Sequence, residues 1–560
     1  MEWIDYFQKK PSALDEAAFV RKETHISIVL VGSNRVFKFK KPVRLDFIDQ
    51  QSLQTRYELC RAECNLNSRI SPQVYLGMGF VRATEDGFRL DVKSIHSDAA
   101  SRSPDSETST ELNNCLDVCV VMHHLADEYR LEGQLPSLTF ANMSALAEKI
   151  FAFHRKQHIE PPSPGFRKRQ TDVLETIHGV AGGSDQLEKM ARGIRENLRG
   201  AYRLASRRFQ ELDGHGDLRL DHIYAAPDSI DIIDCVEFSK SIRQVDPYED
   251  LAFTTMGLEL EGRSELARWL SVDYLYRSGD VTGFALLPYY EIYRASVRLM
   301  VDLLQRKDSP TARLDKRIAS YEQYISQKIN APAAPGTGDR WQRTGPLCIV
   351  LMGLPATGKS RIGGLLRQDG IPVISSDALR KQQNRNPGIR QPEEYGQGKY
   401  KESKKKRVYQ LLVASASRLL RTENVICLDA SFSRAEYRTL LEDLRRPKRA
   451  LPANPQTYSE APHGRDATEN DRWLQNRRSL RFLFLETVCS REEIKRRLDR
   501  RKTKPGFSDL TDFATWEKLE AAFETIQIDA SDAYVRLPTD GPKREESIFE
   551  ELRSLAGGFL

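Results

Sequence analysis

Four short apolar runs punctuate the second half of this chain: Leu347 to Met352, Ile371 to Ser375, Asn424 to Phe432 and Arg481 to Leu485. Their length, β-branched content and polar borders are those of buried parallel strands. Helical stretches lie between and after them, with Arg361 to Leu366 behind the first and Arg491 to Arg501 behind the last. That order predicts an α/β domain with a parallel sheet flanked by helices.

The first half has a different pattern. Residues 24 to 41 alternate as two strands joined at Gly32-Ser-Asn34, a hairpin turn. In the second strand, Val36, Lys38 and Lys40 share one face, and Phe37 and Phe39 the other. Arg56 to Arg69 then reads as a helix whose face Leu59, Ala62, Glu63, Leu66 is apolar apart from one carboxylate. Buried there, Glu63 needs a cation, for which Lys38 is the candidate; a glutamate at a solvent edge is the alternative. Asp117 to Met122 is a further buried strand, able to join a small lobe to a helical one, and Ser144 to Ser206 is mostly helical with a break at Pro161 to Gly165.

Polar stretches at Ser97 to Leu112, Asn384 to Arg407 and Arg445 to Asp471 read as loops, the last Pro-rich and expected to be disordered. Lys328 to Pro346 has the Pro, Gly and Ala content of a hinge. The expected organisation is a domain over 1–327, a linker over 328–346 and a second domain over 347–560.

A length of 560 residues agrees with two or three domains. No apolar run reaches the length of a membrane span, and Met1-Glu-Trp-Ile-Asp-Tyr6 carries acids where a signal peptide needs bases, so a cytoplasmic protein without a membrane partner is expected. Eight cysteines are too few for a disulfide framework in so long a chain. The pairs Cys60/Cys64 and Cys115/Cys119 have no second His or Cys pair to complete a zinc site, so they read as core residues. A net charge of +6 from 85 basic and 79 acidic residues suits phosphate-bearing ligands without demanding nucleic acid.

The strongest chemical signal follows the first apolar run of the second domain. Gly353-Leu354-Pro355-Ala356-Thr357-Gly358-Lys359-Ser360 has the form G-x-x-x-x-G-K-S between a strand and a helix. Such a loop turns backbone N–H groups and a helix N-terminus toward an anion, with Lys359 for the β- and γ-phosphates and Ser360 for Mg²⁺. ATP and Mg²⁺ are the expected cofactors. Asp377 and Arg380 fall at the end of the second strand, one helical turn apart, and Asp429 ends the third, where a Walker-B acid would hold a metal-bound water. Arg496, Arg497, Arg500 and Arg501 gather on one helix face, either a lid over a transferring phosphoryl group or a solvated basic helix; Arg497 and Arg501 are the candidates.

This set resembles the P-loop kinases related to phage polynucleotide kinase, gluconate kinase and the zeta-type toxins. The resemblance implies that Asp377 is the base for an acceptor hydroxyl, and that Arg380 binds acceptor or transferred phosphate. A helix-capping Asp with an exposed Arg is the plain alternative.

Upstream, His215-Gly-Asp217, then Ile230 to Phe238 with Asp234, then Asp246-Pro-Tyr-Glu-Asp-Leu-Ala252 resemble the aminoglycoside phosphotransferase-like branch of the protein-kinase-like fold over roughly residues 20–325. That resemblance implies a bilobal domain in which Lys38 orients phosphate, Glu63 is its helix partner, Asp217 takes the acceptor proton and Asp234 binds Mg²⁺. His222 stands where the family has a metal-binding Asn, and Gly32-Ser-Asn34 is not a G-x-G-x-x-G loop. The domain is accordingly read as a second kinase site or as a nucleotide-binding pseudokinase.

The whole chain resembles bacterial proteins that join these two domains, and the resulting fold class is α/β with α+β. The expected function is a kinase whose C-terminal domain phosphorylates a hydroxyl of a small molecule. Basic residues Lys399, Lys401 and Lys404 to Arg407 suggest an anionic acceptor. Two rivals are a 5′-hydroxyl polynucleotide kinase, for which only Tyr395 and Tyr400 offer base stacking, and an ATP-gated regulatory protein.

Overall fold

The alternation of Phe37 and Phe39 against Lys38 and Lys40 is built into a six-stranded antiparallel sheet. A computed structural model describes residues 1–45, 48–94, 111–157, 159–160, 165–180, 185–205, 211–330, 346–383, 402–445, 479–503, 512–529 and 531–540. The sheet comprises β1 (Val20–Glu23), β2 (Ser27–Val31), β3 (Arg35–Lys40), β4 (Tyr75–Thr84), β5 (Gly87–Ser94) and β6 (Asp117–His123), in the order β1-β2-β3-β6-β4-β5. Helix α1 (Leu53–Asn67) starts at Ser52, whose side chain accepts the Thr55 N–H, and covers one face of the sheet. Val118, Val120 and Met122 pack toward Tyr57, Cys60 and Cys64 of that helix. Cys119 and Val121 pack the other way, with Phe37 and Phe39. Period-two alternation thus sorts one strand between two cores.

The sequence pattern did not bring out β1, β4 or β5. With β1 in place, the chain turns at Thr24–Ile26 next to the Ser27–Lys40 pair, at the lysine end of β3. The Gly32–Asn34 tip lies at the other end, where the Glu16 carboxylate accepts the N–H groups of Ser33 (2.7 Å) and Arg35 (2.9 Å).

The chain forms two compact units. The first comprises 1–182, 206–263 and 293–309; the second comprises 183–205, 264–292 and 310–560. Outside its sheet, the first unit contains α2 (Phe140–Lys156), a hairpin of Ile223–Ala226 with Ser229–Ile232, and α3 (Pro247–Leu260). Asp246 caps α3 by accepting the Tyr248 N–H at 2.9 Å, with Pro247 at the first helical position.

The second unit includes α4 (Ser264–Ser278), which lies upstream of the expected linker, and a five-stranded parallel sheet. Its strands are β7 (Leu347–Met352), β8 (Val373–Ser375), β9 (Val425–Asp429), β10 (Arg481–Val488) and β11 (Ala533–Pro538), ordered β8-β9-β7-β10-β11. Helices α5 (Lys359–Gln368), α6 (Ser376–Gln383) and α7 (Arg491–Thr503) follow β7, β8 and β10. All four expected strands are present. The fifth, β11, carries Arg536 among its apolar residues and has too little periodicity to stand out.

Two expected loops need correction. Lys404 to Arg407 are not loop: they lie in a helix over Glu402–Leu419, and the helix Ala312–Asn330 runs through Lys328. Lys399, Lys401, Tyr395 and Tyr400 lie outside the described residues, as do 95–110, 161–164, 331–345 and 446–478.

Candidate active site

The P-loop leaves the carboxyl end of the central strand, between two neighbours that supply different chemistry. Leu351 and Ser375 both register with Asp429, which places that acid and the start of α6 on one side. Met352 registers with Glu486 on the other, next to Thr487. The loop's glycines are required on both grounds of space and backbone. Gly353 has φ 132° and a Cβ there would stand 2.7 Å from the Thr487 carbonyl oxygen; Gly358 has φ 103° and a Cβ would stand 2.8 Å from Thr539 Oγ1.

Further contacts fix the loop. Thr357 Oγ1 donates to the Leu354 carbonyl at 2.7 Å, Trp516 Nε1 donates to the Pro355 carbonyl at 2.9 Å, and Arg497 Nη1 donates to the Ala356 carbonyl at 3.1 Å. Leu354 and Ala356 pack with Ile494, Leu498 and Trp516. Lys359 folds back, its Nζ 2.8 Å from the Gly353 carbonyl and 2.9 Å from that of Leu354. Burial lowers its pKa, opposed by Asp429 and Asp377. Ser360 follows in the first turn of α5.

Asp377 opens α6 and is paired with Arg380 Nη1. Asp429 is buried, and that burial, with the adjacent Asp377 charge, pushes its carboxyl up to about 6 although Lys359 opposes the shift. The donor set Ser360, Asp377, Asp429 is hard oxygen throughout, and the negative charge around Asp429 is undercompensated. Both properties fit Mg²⁺.

The two candidate arginines of α7 separate. Arg497 is engaged by Glu493 (2.8 Å), the Ala356 carbonyl and the Thr539 carbonyl (2.8 Å), so it braces the loop. Arg501 has burial lowering its pKa, Asp377 as the carboxylate acting on it, and an Nη1 without a hydrogen-bond partner. Of the pair, Arg501 has a donor to spare. Arg496 pairs with Glu493 and is exposed.

In the first unit, Lys38 Nζ bridges Glu63 Oε1 (2.8 Å) and Asp234 Oδ1 (2.6 Å). Glu63 is fully buried and takes a second cation, Lys40 Nζ, at 2.7 Å; Lys40 also pairs with Glu237. Burial pushes the Glu63 carboxyl up, but the two lysines outweigh it and leave the pKa lowered. The solvent-edge alternative for Glu63 is therefore excluded. Lys40 was visible on the same strand face as Lys38, but nothing in the alternation assigned it a partner. Asp234 has φ 63°, a strained conformation for a non-glycine residue, and its N–H points to the Tyr75 hydroxyl at 3.3 Å.

The His215-Gly-Asp217 loop hangs on Asp250. One carboxylate oxygen accepts the His215 N–H (2.8 Å) and lies 3.1 Å from His154 Nε2; the other accepts the Gly216 N–H (2.9 Å). His215 Nε2 donates to the Ile233 carbonyl at 2.9 Å and its Nδ1 accepts the Asp217 N–H at 3.3 Å, so the ring orients the loop in its neutral form. Asp217 pairs with Arg219 Nε at 3.2 Å. His222 Nδ1 donates to the Asp217 carbonyl (2.9 Å), and Nε2 lies 2.8 Å from Arg219 Nη2, which can only donate. Both ring nitrogens are thus engaged, and as placed His222 offers no lone pair to a metal. Its Nε2 is 3.9 Å from Asp234 Oδ2.

Residues 348–526 match a family model described as an AAA domain, a stretch that holds the P-loop, Asp377, Asp429 and the arginines of α7. Over 445 residues the chain is 26% identical to an uncharacterized protein of Mycobacterium tuberculosis, covering 76% of this chain and 80% of that protein, and a Mycobacterium bovis protein matches to the same extent. Among solved structures, a choline/ethanolamine kinase family protein from Mesorhizobium loti aligns with a TM-score of 0.37 at 12% identity, covering 58% of this chain and 96% of that one. The GDP complex of aminoglycoside 2'-phosphotransferase-IIIa aligns at 0.36 and 14%, covering 59% and 99%.

Proposed function

We propose that the second unit is an ATP- and Mg²⁺-dependent phosphotransferase that moves the γ-phosphoryl group to a hydroxyl of a small molecule. The observation that carries this reading is Asp377, held by Arg380 and placed beside Asp429 at the carboxyl end of the sheet. Hydrolysis needs only an oriented water, whereas an acceptor needs a base and a cation to hold it.

Asp377 takes the proton of the acceptor hydroxyl as its oxygen attacks the γ-phosphorus; the bond to the bridging oxygen breaks and ADP leaves. Lys359 exchanges the Gly353 and Leu354 carbonyls for phosphate oxygens, which is a short reach for a side chain already folded over the loop. Arg501, with Nη1 unsatisfied, meets the charge that spreads over the transferring group. Ser360 and Asp429 are the residues that would hold Mg²⁺, which would supply neutralisation of phosphate charge.

For the first unit, the chain Glu63–Lys38–Asp234 with Asp217 nearby favours a second nucleotide site.

Full-length protein incubated with γ-labelled ATP, Mg²⁺ and a metabolite pool should give a labelled phosphate monoester, lost in Lys359→Ala. Label appearing only as inorganic phosphate would refute a hydroxyl acceptor. Nucleotide binding that survives Lys359→Ala and disappears on adding Asp234→Ala supports the second site; binding abolished by Lys359→Ala alone removes it.

A further inference from the structure

Each oxygen of the Glu63 carboxylate has its own ammonium. Lys38 Nζ stands 2.8 Å from Oε1, and Lys40 Nζ 2.7 Å from Oε2. The two lysines lie two residues apart on β3, so both leave the face on which Val36 joins the cluster of Cys60 and Cys64 of α1. Their surroundings differ. The Lys38 side chain is 15% exposed and reaches on to Asp234, whose side chain is 39% exposed. Lys40 and Glu63 are both fully buried, and the second partner of Lys40 is the buried carboxylate of Glu237. A separate tie holds the same two segments. The Asn67 side chain, one turn after Glu63, donates to the Glu63 carbonyl at 2.8 Å and accepts the Cys235 N–H at 2.9 Å. Helix α1 is thus fastened to residues 235–237 at two points that do not involve Lys38.

We propose that Lys40 is a positioning residue of the candidate nucleotide site in the first unit, neutralising and holding Glu63 so that Lys38 can leave it for phosphate. The inference rests on the reading of that site given above. A nucleotide can recruit Lys38 only if the carboxylates left behind remain stabilised. Water reaches Asp234, but it does not reach Glu63. With Lys38 as its sole partner, Glu63 would become an unpaired buried charge once Lys38 moved, and that state is costly. Lys40 removes the penalty, because it stays on Oε2 whichever way Lys38 turns. Lys40 does not serve phosphate itself: its Nζ is closed off between Glu63 and Glu237. Glu237 acts with the opposite sign, since it competes with Glu63 for the Lys40 charge. Two lysines on one strand face therefore divide the work, one fixed on the buried carboxylate and one able to move.

The test uses full-length protein carrying Lys359→Ala, so that binding of a fluorescent ATP analogue reports the first unit alone. Lys40→Met keeps the reach of the side chain and removes its charge. Affinity should fall about tenfold, because Glu63 then retains Lys38. Glu237→Gln should move affinity the other way, tightening binding about threefold, since Lys40 then serves Glu63 alone. Substitutions that only disturbed packing would weaken binding in both cases. In a Glu63→Gln background, Lys40→Met should change affinity by less than about twofold, which separates action through Glu63 from a general change of charge near phosphate. Unchanged affinity in Lys40→Met, or a loss that persists in Glu63→Gln, would overturn the proposal. If Lys40→Met does not fold, Glu237→Gln decides alone: tighter binding supports the proposal, and unchanged or weaker binding overturns it. Lys359→Ala protein that binds no nucleotide would instead overturn the reading of the first-unit site, and the proposal with it.

Discussion

Asp250 is the residue on which the His215–Asp217 loop depends, and its surroundings set a measurable cost. Burial pushes its carboxyl up, but the hydrogen bond with His154 and the contacts with His215 outweigh that and hold it at about 2. Its folded-state pKa lies below the ordinary aspartate value of 3.8, so the carboxylate contributes stability above pH 4 that is lost as pH falls toward 2. Asp250→Ala strips partners from two buried N–H groups, and the loss should be about 3 kcal/mol in chemical denaturation at neutral pH, vanishing in acid. A loss below about 1 kcal/mol, or one independent of pH, would contradict this account of the loop. Lys40 belongs to the same scale. Beside Lys38 it makes Glu63 the centre of a five-charge cluster with Asp234 and Glu237, a denser arrangement than one lysine and one glutamate.

Elements differ in how legible they were. Strands β7, β8, β9 and β10 could be read because parallel strands buried on both faces leave continuous apolar runs. The P-loop could be read because its glycines, lysine and serine are fixed by phosphate chemistry. Helix α4 could not be read as part of that site. Its useful residues, Arg268, Asp273 and Tyr276, are ordinary helix residues, and only tertiary packing brings them to Glu423, to Arg367 and to the core around Ile349 and Ile362. Similarly Thr487 and Thr539 shape the P-loop through the room they deny a Cβ, which no spacing reveals. The element-scale consequence is direct. A fragment starting at residue 340 lacks α4, uncovers the surface where Tyr276 packs and leaves Glu423 without Arg268. It should bind Mg²⁺-nucleotide at least about tenfold more weakly than full-length protein, or aggregate. Full affinity in a soluble fragment would show α4 to be dispensable.

At the scale of the whole molecule, two sets of residues proposed for phosphate chemistry reside in one chain, one around Lys38, Glu63, Asp217 and Asp234, the other around Lys359, Ser360, Asp377 and Asp429. Among the described residues no helix is long and apolar enough to cross a membrane. The division of labour follows from how finished each set is. In the first unit Lys38 and Asp234 neutralise each other and both ring nitrogens of His222 are engaged, so ligand binding has to break existing pairs. In the second unit Asp429 is undercompensated, Arg501 has an unpartnered nitrogen and Lys359 rests on carbonyls. That is a site arranged to gain contacts when nucleotide arrives. The most direct test is to compare nucleotide affinity and phosphoryl transfer in Asp377→Asn. Removing the base while keeping the shape should leave ATP affinity within about twofold and lower transfer about a hundredfold or more. Transfer that survives, or affinity that collapses in step with it, would contradict the assignment of Asp377 and with it the kinase reading of the P-loop.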